Sequence, residues 1–86
     1  MINAYNNRFE VLIEQREFTA ALADADAMVK LAPRAARSHQ ARGEALRGLG
    51  RKDDAITAYR LSLTLQPADH IRARIADGMK VLGAER

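Results

Sequence analysis

Apolar residues recur at spacings of three and four along most of the chain, which is the pattern of one face of an amphipathic helix. The pattern is most regular over residues 36–67, where it divides into two halves around a glycine-containing turn at residues 48–52. Asp53 and Asp54 place negative charge on the first turn of the second half, which favours a helix start there. Pro67 ends the segment because its ring and its missing N–H exclude continuation of the helix. This segment therefore predicts a helix-turn-helix hairpin.

Residues 2–33 align on residues 36–67 with a constant offset of 34 positions, which indicates an internal repeat. The first copy predicts two helices, one with Asn3 as its N-cap and one from about Phe18 to Leu31. The aligned copies carry identical residues at Arg8/Arg42, Glu10/Glu44, Leu12/Leu46, Ala21/Ala55, Leu31/Leu65 and Pro33/Pro67. We therefore expect a first, diverged hairpin before the second.

After Pro67, apolar residues spaced by four and three predict a fifth helix, with Asp69 as its N-cap. It corresponds to the first helix of a third copy, and we expect it to cover the apolar face that the fourth helix would otherwise expose. The alternative, that a longer array is interrupted here, stays open. The predicted inward-facing residues of the first, second and fifth helices are Ile2, Tyr5, Phe9 and Leu12, then Ala21, Leu22, Ala25, Met28 and Val29, then Ile71, Ile75, Met79 and Leu82.

Small residues in the second copy indicate close packing of its two helices. Gly43 and Ala55 lie on the inward faces, where two helix axes approach closely only if no large side chain intervenes, and Tyr59 fills the adjacent space. On these residues the segment resembles the tetratricopeptide repeat, a 34-residue helix-turn-helix unit. The matching positions are Gly43, Leu46, Gly50, Ala55, Tyr59 and Pro67, and the departures are His39, Arg42 and Ser62.

The first copy departs from this family's pattern at its core. Phe9 stands at the small position of the first helix, and Ala25 stands at the aromatic position of the second. We interpret the two changes as a compensating exchange that keeps the total core volume. Arg16 stands at the turn-glycine position, which predicts either a strained backbone or a different turn.

The resemblance implies an all-α fold, a right-handed α-solenoid of five antiparallel helices in a single domain over residues 1–86. Repeat one would span residues 2–35, repeat two 36–68 and a capping helix 69–83. It also implies a protein–protein interaction scaffold that binds a peptide or a partner helix in a concave groove. The groove positions carried over from the family are Asn6, Glu10 and Ile13 on the first helix, Arg37, Gln40, Glu44 and Arg47 on the third, and His70, Arg74 and Asp77 on the fifth.

One subclass of the family, the co-chaperones of the large heat-shock proteins, holds a C-terminal carboxylate with two basic residues and two asparagines. The corresponding positions here are Asn6, Glu10, Ala41, His70 and Arg74, of which Arg74 alone agrees with the subclass. Glu10 would repel a ligand carboxylate. We therefore expect that the chain does not bind such chaperone tails.

The composition excludes some classes of chemistry and favours a soluble protein. The absence of cysteine excludes disulfides and thiolate chemistry. No apolar run approaches the roughly 20 residues that span a bilayer, and the N-terminal residues lack the order of a signal peptide, so we expect a cytoplasmic protein or a soluble domain of a larger one. A net charge of +3 permits acidic partners without requiring them.

Candidate chemistry is weak. Ser38 and His39 are adjacent on one helix and point about 100° apart, so the histidine is not placed as a base for the serine. His39 and His70 have no evident third metal ligand. We therefore expect no enzyme activity, no cofactor and no metal.

Two alternatives to groove binding stay open. One is self-association through uncapped ends of the helical stack, where Ile2, Tyr5, Val81 and Leu82 are apolar and Leu61 could extend the patch. The other, which we consider unlikely because acidic residues interrupt the basic face, is nucleic-acid binding. The basic residues concerned are Arg34, Arg37, Arg42, Arg47, Arg51, Lys52, Arg72, Arg74 and Lys80.

Overall fold

The computed structural model describes residues 2–83, which form five α-helices and no strand. These are α1 (Ile2–Glu14), α2 (Phe18–Leu31), α3 (Ala36–Gly48), α4 (Lys52–Thr64) and α5 (Asp69–Leu82). Three or four residues join each helix to the next, and such short connections produce antiparallel neighbours. The predicted all-α helical repeat is confirmed, while the handedness of the stack and the repeat boundaries stay predictions.

Helix α3 lies at the centre of the molecule. It packs against α2, α4 and α5, whereas α1 packs mainly on α2. Consequently most of its side chains are buried, including the polar ones of Ser38, His39, Gln40 and Glu44. Buried polar groups require hydrogen-bond partners, so this central position decides which interactions the polar residues of α3 must make.

The first half of the core is built around Phe9. Its side chain is completely buried in a cluster with Met28 and four alanines, Ala21, Ala25, Ala41 and Ala45. Tyr5 and Leu12 are partly buried against the same cluster, and the side chain of Ile2 lies outside the described part. The single large ring on α1 thus faces small residues on α2 and α3, as the exchange of Phe9 and Ala25 predicts.

The second half of the core is built around the buried ring of Tyr59 on α4. A Cβ added to Gly43 would lie 2.6 Å from this ring, and one added to Gly78 would lie 2.5 Å from its hydroxyl oxygen. The ring therefore fits between α3 and α5 only because both positions are glycine. Ile75 and Met79 of α5 are buried against it, so α5 covers α4 as predicted.

The turns after α1 and α3 have the same geometry. Arg16 and Gly50 both adopt positive φ, 60° and 77°. In each turn the next residue donates its N–H to a carbonyl five residues earlier, from Glu17 to Leu12 and from Arg51 to Leu46, at 2.8 and 2.9 Å. This is the Schellman arrangement, which glycine adopts without strain. The turn after α1 therefore has the same Schellman geometry as the turn after α3, and the backbone of Arg16 is strained because a residue other than glycine adopts positive φ there.

Both predicted N-caps are wrong. α1 begins at Ile2, so that Asn3 lies inside the helix, and α5 has Ala68 rather than Asp69 as its N-cap, with no side-chain capping bond. Asp69 is instead the first helical residue, where its charge favours the helix N-terminus. Within residues 2–83, no helix is both long enough and apolar enough to cross a membrane.

Candidate functional site

Arg74 of α5 connects three helices. Its guanidinium donates two hydrogen bonds to Glu10 of α1, from Nη1 to Oε2 at 2.9 Å and from Nη2 to Oε1 at 3.1 Å. Nη2 also donates to Oε1 of Glu44 on α3 at 2.8 Å. A guanidinium shared between two carboxylates forms strong charge-assisted bonds, and Arg74 therefore ties α5 to both α1 and α3.

Arg37 of α3 makes the second set of connections. Its Nε donates to Oδ1 of Asn6 at 2.9 Å, and its Nη1 donates to the amide oxygen of Gln40. Its Nη2 lies 3.3 Å from Oε2 of Glu10, an ion pair without a hydrogen bond, and this buried nitrogen has no hydrogen-bond partner within residues 2–83. The guanidinium also lies over the ring of Phe9, 5.2 Å from its centroid, so the first core positions this arginine.

The contacts close into a ring. Gln40 donates from its amide nitrogen to Oε2 of Glu44, which completes the circuit from Arg37 through Gln40, Glu44, Arg74 and Glu10 back to Arg37. We call these five residues the polar ring. Two arginines and two glutamates give it a formal net charge of zero when all four are ionised.

The two glutamates of the polar ring differ in burial and in the direction of their pKa shifts. The hydrogen bond from Arg74 is the main cause that lowers the pKa of Glu10, whose side chain is 43% exposed. Burial raises the pKa of Glu44, whose side chain is 6% exposed, against the opposing effect of Arg74. The bond to Glu10 raises the pKa of Arg74, and burial lowers that of Arg37. Glu10 is thus the carboxylate of the ring that solvent and ligands can reach.

Two open cavities flank the polar ring. The turn-side cavity, of about 500 Å³, is lined by Ile13, Glu14, Arg16, Phe18, Glu44, Arg47 and Gly48. The proline-side cavity, of about 480 Å³, is bordered by Glu10, Arg37 and Arg74 of the ring together with Asn6, His70 and the segment 65–68. A smaller recess of about 200 Å³ lies among Glu44, Arg47, Arg74 and Asp77.

The structure brings the ten predicted groove residues to one region. Five form the polar ring and Asn6 is hydrogen-bonded to it, while Ile13, Arg47, His70 and Asp77 line the cavities beside it. Gln40 is fully buried, so it does not line the groove surface and instead positions Arg37 and Glu44 through its hydrogen bonds. The sequence analysis did not include Phe18 and Arg16 among the groove residues, although both line the turn-side cavity. Arg16 stands at the turn-glycine position and Phe18 begins the next helix, and this unusual turn could have drawn attention to them.

The remaining candidate chemistry is accounted for by structural contacts. His39 is buried, and its Nε2 lies 2.7 Å from the carbonyl oxygen of Pro33, which fixes the connection before α3. Ser38 donates its hydroxyl to the carbonyl of Met28 at 3.2 Å. In the described part of the chain, no group of three or more His, Asp or Glu residues is placed to hold a metal ion.

Comparison with known proteins identifies the repeat. The family described as tetratricopeptide repeat matches residues 36–69. The Hsp70-Hsp90 organizing protein of Triticum aestivum is 36% identical over 81 residues, which are 93% of this chain and 14% of that protein. No solved structure matches the chain. Residues 36–69 therefore belong to the tetratricopeptide-repeat family, and the comparisons support a protein–protein interaction module.

Proposed function

We propose that the chain binds an extended peptide or a partner helix in the groove formed by α1, α3 and α5. The observation that carries the proposal is that Glu10, Glu44 and Arg74, from three different helices, converge in the polar ring between two open cavities. Side chains fixed by several helices lose little conformational entropy when a ligand binds.

The chemistry of the groove favours a polar ligand. The lining carries both signs of charge, with Arg47 and Asp77 beside the polar ring and His70 at the other cavity. Ile13 and Phe18 add a small apolar surface at the turn side. We therefore expect recognition by charge-assisted hydrogen bonds, with at most one apolar anchor.

The similarity to the Hsp70-Hsp90 organizing protein does not lead us to propose binding of a heat-shock protein tail. The chain spans about 14% of that protein. Arg74, the one residue that agrees with the carboxylate-binding subclass, is already bonded to Glu10 and Glu44, and Ala41 is buried in the core. A peptide ending in EEVD with a free carboxylate should therefore not bind, and micromolar affinity would contradict this statement.

A second candidate function is self-association. Val81 of α5 is 70% exposed and Leu61 of α4 is 45% exposed, and exposed apolar side chains at the end of a stack can bury against a second copy. Tyr5 and Leu82 are only partly exposed because they pack on the core. The side chain of Ile2 lies outside the described part.

Nucleic-acid binding is less favoured, because several arginines of the central segment have acidic neighbours. Arg42 forms an ion pair with Asp26 at 2.9 Å, and Arg51 forms one with Asp54 at 2.7 Å. Such pairing lowers the positive potential that phosphate binding requires. Strongly salt-dependent binding to RNA or DNA at physiological ionic strength would overturn this preference.

The test of groove binding is selection from a displayed peptide library, followed by affinity measurement with variants. Arg47→Gln and Asp77→Asn change residues of the groove, whereas Arg60→Gln changes an exposed residue of α4 outside it and serves as the matched control. We expect the groove variants to weaken a selected peptide about ten-fold or more, which is a loss of about 1.4 kcal/mol, and the control to have no effect. Equal affinity for all variants would refute the groove as the binding surface.

Sedimentation equilibrium and thermal melts over a wide range of protein concentration test self-association. A melting temperature that rises with concentration would support it, because association stabilises the folded state by mass action. A monomer with a constant melting temperature would eliminate it.

A further inference from the structure

We propose that the turn-side cavity binds the indole ring of a tryptophan side chain that the protein partner presents. Phe18 supplies an aromatic surface for this ring, and the guanidinium groups of Arg16 and Arg47 supply cations beside it. The proposal rests on groove binding and identifies the one apolar anchor that the groove takes.

The ring of Phe18 is held against the end of α3 and still lines the cavity. Phe18 is the first residue of α2 and is only half-buried. A Cβ added to Gly48 would overlap the ring, so the ring lies against the backbone of α3 only because this position is glycine. A fixed, partly exposed aromatic ring favours a second ring in offset or edge-to-face packing.

The turn-side cavity is large enough for an indole. Its volume of about 500 Å³ exceeds that of the recess beside Asp77, which is about 200 Å³. Ile13 of α1 lines the same cavity, so that an aliphatic side chain adds to the apolar surface of Phe18. The size falls within the range of roughly 300 to 1,000 Å³ that is typical of ligand pockets.

Two arginines of the cavity have no acidic partner within residues 2–83. Neither Arg16 nor Arg47 forms an ion pair there. The guanidinium of Arg16 lies 6.0 Å from the centroid of the Phe18 ring, at the limit of a cation–π contact. Among aromatic side chains tryptophan makes the strongest such contact, so the two guanidinium groups favour an indole over an aliphatic side chain.

The charges that line the cavity favour a neutral ligand. Arg16 and Arg47 are balanced by Glu14 and Glu44, which gives the lining a formal net charge of zero when all four are ionised. Glu14 forms no ion pair in the described part of the chain, so its carboxylate is available as an acceptor for the indole N–H. An aromatic side chain with one donor therefore matches this lining better than an anion does.

The strained turn is the independent observation that points to a binding role. Arg16 adopts φ of 60° where the corresponding turn of the second repeat has Gly50. Glycine would relieve this strain, whereas arginine places a cation at the cavity. Backbone strain of this kind occurs preferentially at functional sites, and here it accompanies the residue that completes the aromatic and cationic lining.

The test is an NMR titration with N-acetyl-tryptophanamide, a neutral probe that carries no carboxylate. N-acetyl-leucinamide serves as the matched aliphatic probe. We expect the tryptophan probe to bind at least about five-fold tighter than the leucine probe, and its ring current should shift the Nε–H signals of Arg16 and Arg47. Equal binding of the two probes, or no shift of these signals, would overturn the proposal.

Three variants examine the cavity separately. Gly48→Ala pushes the ring of Phe18 aside, and Phe18→Leu keeps an apolar side chain but removes the ring, so each should weaken the tryptophan probe at least about five-fold. Leu61→Ala truncates an exposed apolar residue of α4 outside the cavity and should have no effect. Thermal melts show which variants are folded, and unchanged binding in a folded Gly48→Ala or Phe18→Leu variant would refute the site.

Arg16→Gly separates binding from folding. It should weaken the tryptophan probe about two- to five-fold, because one cation–π contact is lost, while the melting temperature rises because the backbone strain is relieved. A residue with a structural role alone would not weaken binding while its replacement stabilises the fold. Unchanged binding in this variant would show that Arg16 does not contact the ligand and would contradict the proposed site.

Failure of this proposal and failure of groove binding give different results. If library peptides depend on Arg47 and Asp77 but do not respond to Phe18→Leu, groove binding stands and the tryptophan site is refuted. If the tryptophan probe binds as expected while no selected peptide depends on Asp77, groove binding fails and the tryptophan site stands alone.

Discussion

Replacing Phe9 by alanine should test the core of the first repeat. The ring is completely buried, and its neighbours on α2 and α3 include Ala21, Ala25, Ala41 and Ala45, whose side chains cannot extend into the space that the ring leaves. Because the surrounding side chains cannot fill the cavity, we expect Phe9→Ala to lower the free energy of unfolding by about 3 to 5 kcal/mol. Domains of this length have a total stability of about 4 to 13 kcal/mol, so this single change should remove a large part of it.

Chemical denaturation followed by circular dichroism measures the change in the free energy of unfolding. A loss of 3 kcal/mol or more corresponds to a fall in melting temperature of more than about 12 °C for a domain of this size. Phe9→Leu fills most of the space and should cost less than about 1.5 kcal/mol, which keeps the test usable if the alanine variant does not fold.

The double variant Phe9→Ala with Ala25→Phe restores the family's usual placement of the large ring on the second helix. If the two positions exchange volume, the double variant should be more stable than the sum of the single effects by at least about 1 kcal/mol. A loss below about 1 kcal/mol for Phe9→Ala, or strict additivity in the double variant, would refute the reasoning.

Three further changes should have defined effects. Arg16→Gly removes a side chain from a backbone with φ of 60°, and we expect a rise of about 0.5 to 1 kcal/mol in stability, checked by thermal melting; a fall would show that the arginine is not strained. Gly78→Ala places a Cβ 2.5 Å from the hydroxyl oxygen of Tyr59 and should cost about 1 to 3 kcal/mol, whereas a higher melting temperature would mean that the ring moves aside freely. Arg74 holds the pKa of Glu10 below its usual value of 4.5, so the ionised carboxylate stabilises the fold above that pH, and the contribution is lost as the pH falls through the folded-state pKa. The melting-temperature difference between the unaltered protein and Glu10→Gln should therefore be greatest near neutral pH, equivalent to at most about 1 kcal/mol for so exposed a group, and should vanish in acid; a pH-independent difference would contradict the assignment.

The helices were predictable because apolar or small residues recur in each at spacings of three and four and because the connections between them are recognisable. α2 runs from Phe18 to Leu31, as its periodicity predicts. The N-caps were not predictable in the same way, since the first turn of a helix makes few contacts and a shift of one residue changes its energy little. Asn3 and Asp69 are suitable capping residues that the backbone includes in the helix instead.

The packing of α5 also exceeded what the sequence pattern could predict. If one residue is deleted after Pro67, alignment on the family pattern predicts Ala76 at the small position of this helix, but Ala76 is exposed. The small residue that contacts the core is Gly78, which meets the ring of Tyr59. Which side of α5 faces α4 depends on the path of the chain after Pro67, and spacing within the helix does not determine that path.

The residues that line the candidate site were predictable from the sequence, but the hydrogen bonds that connect them across helices were not. Residues 37, 40 and 44 are three and four apart on α3, so their mutual hydrogen bonds follow from helix geometry. The bond between Glu10 and Arg74 spans 64 residues and depends on the placement of α5 against α3. Burial of Gln40 and Glu44 follows from the central position of α3, which hydrophobic periodicity alone does not reveal.

The polar ring is an unusual way to hold three helices together. Buried ion pairs are often no more stable than apolar side chains of similar volume, because removing charges from water offsets much of their attraction. Glu44 illustrates the cost, since burial raises its pKa even with Arg74 beside it. Stability alone therefore does not explain why α1, α3 and α5 meet through Glu10, Glu44 and Arg74. Its residues come from all three helices and border both open cavities, so the geometry of the polar ring serves the proposed binding groove.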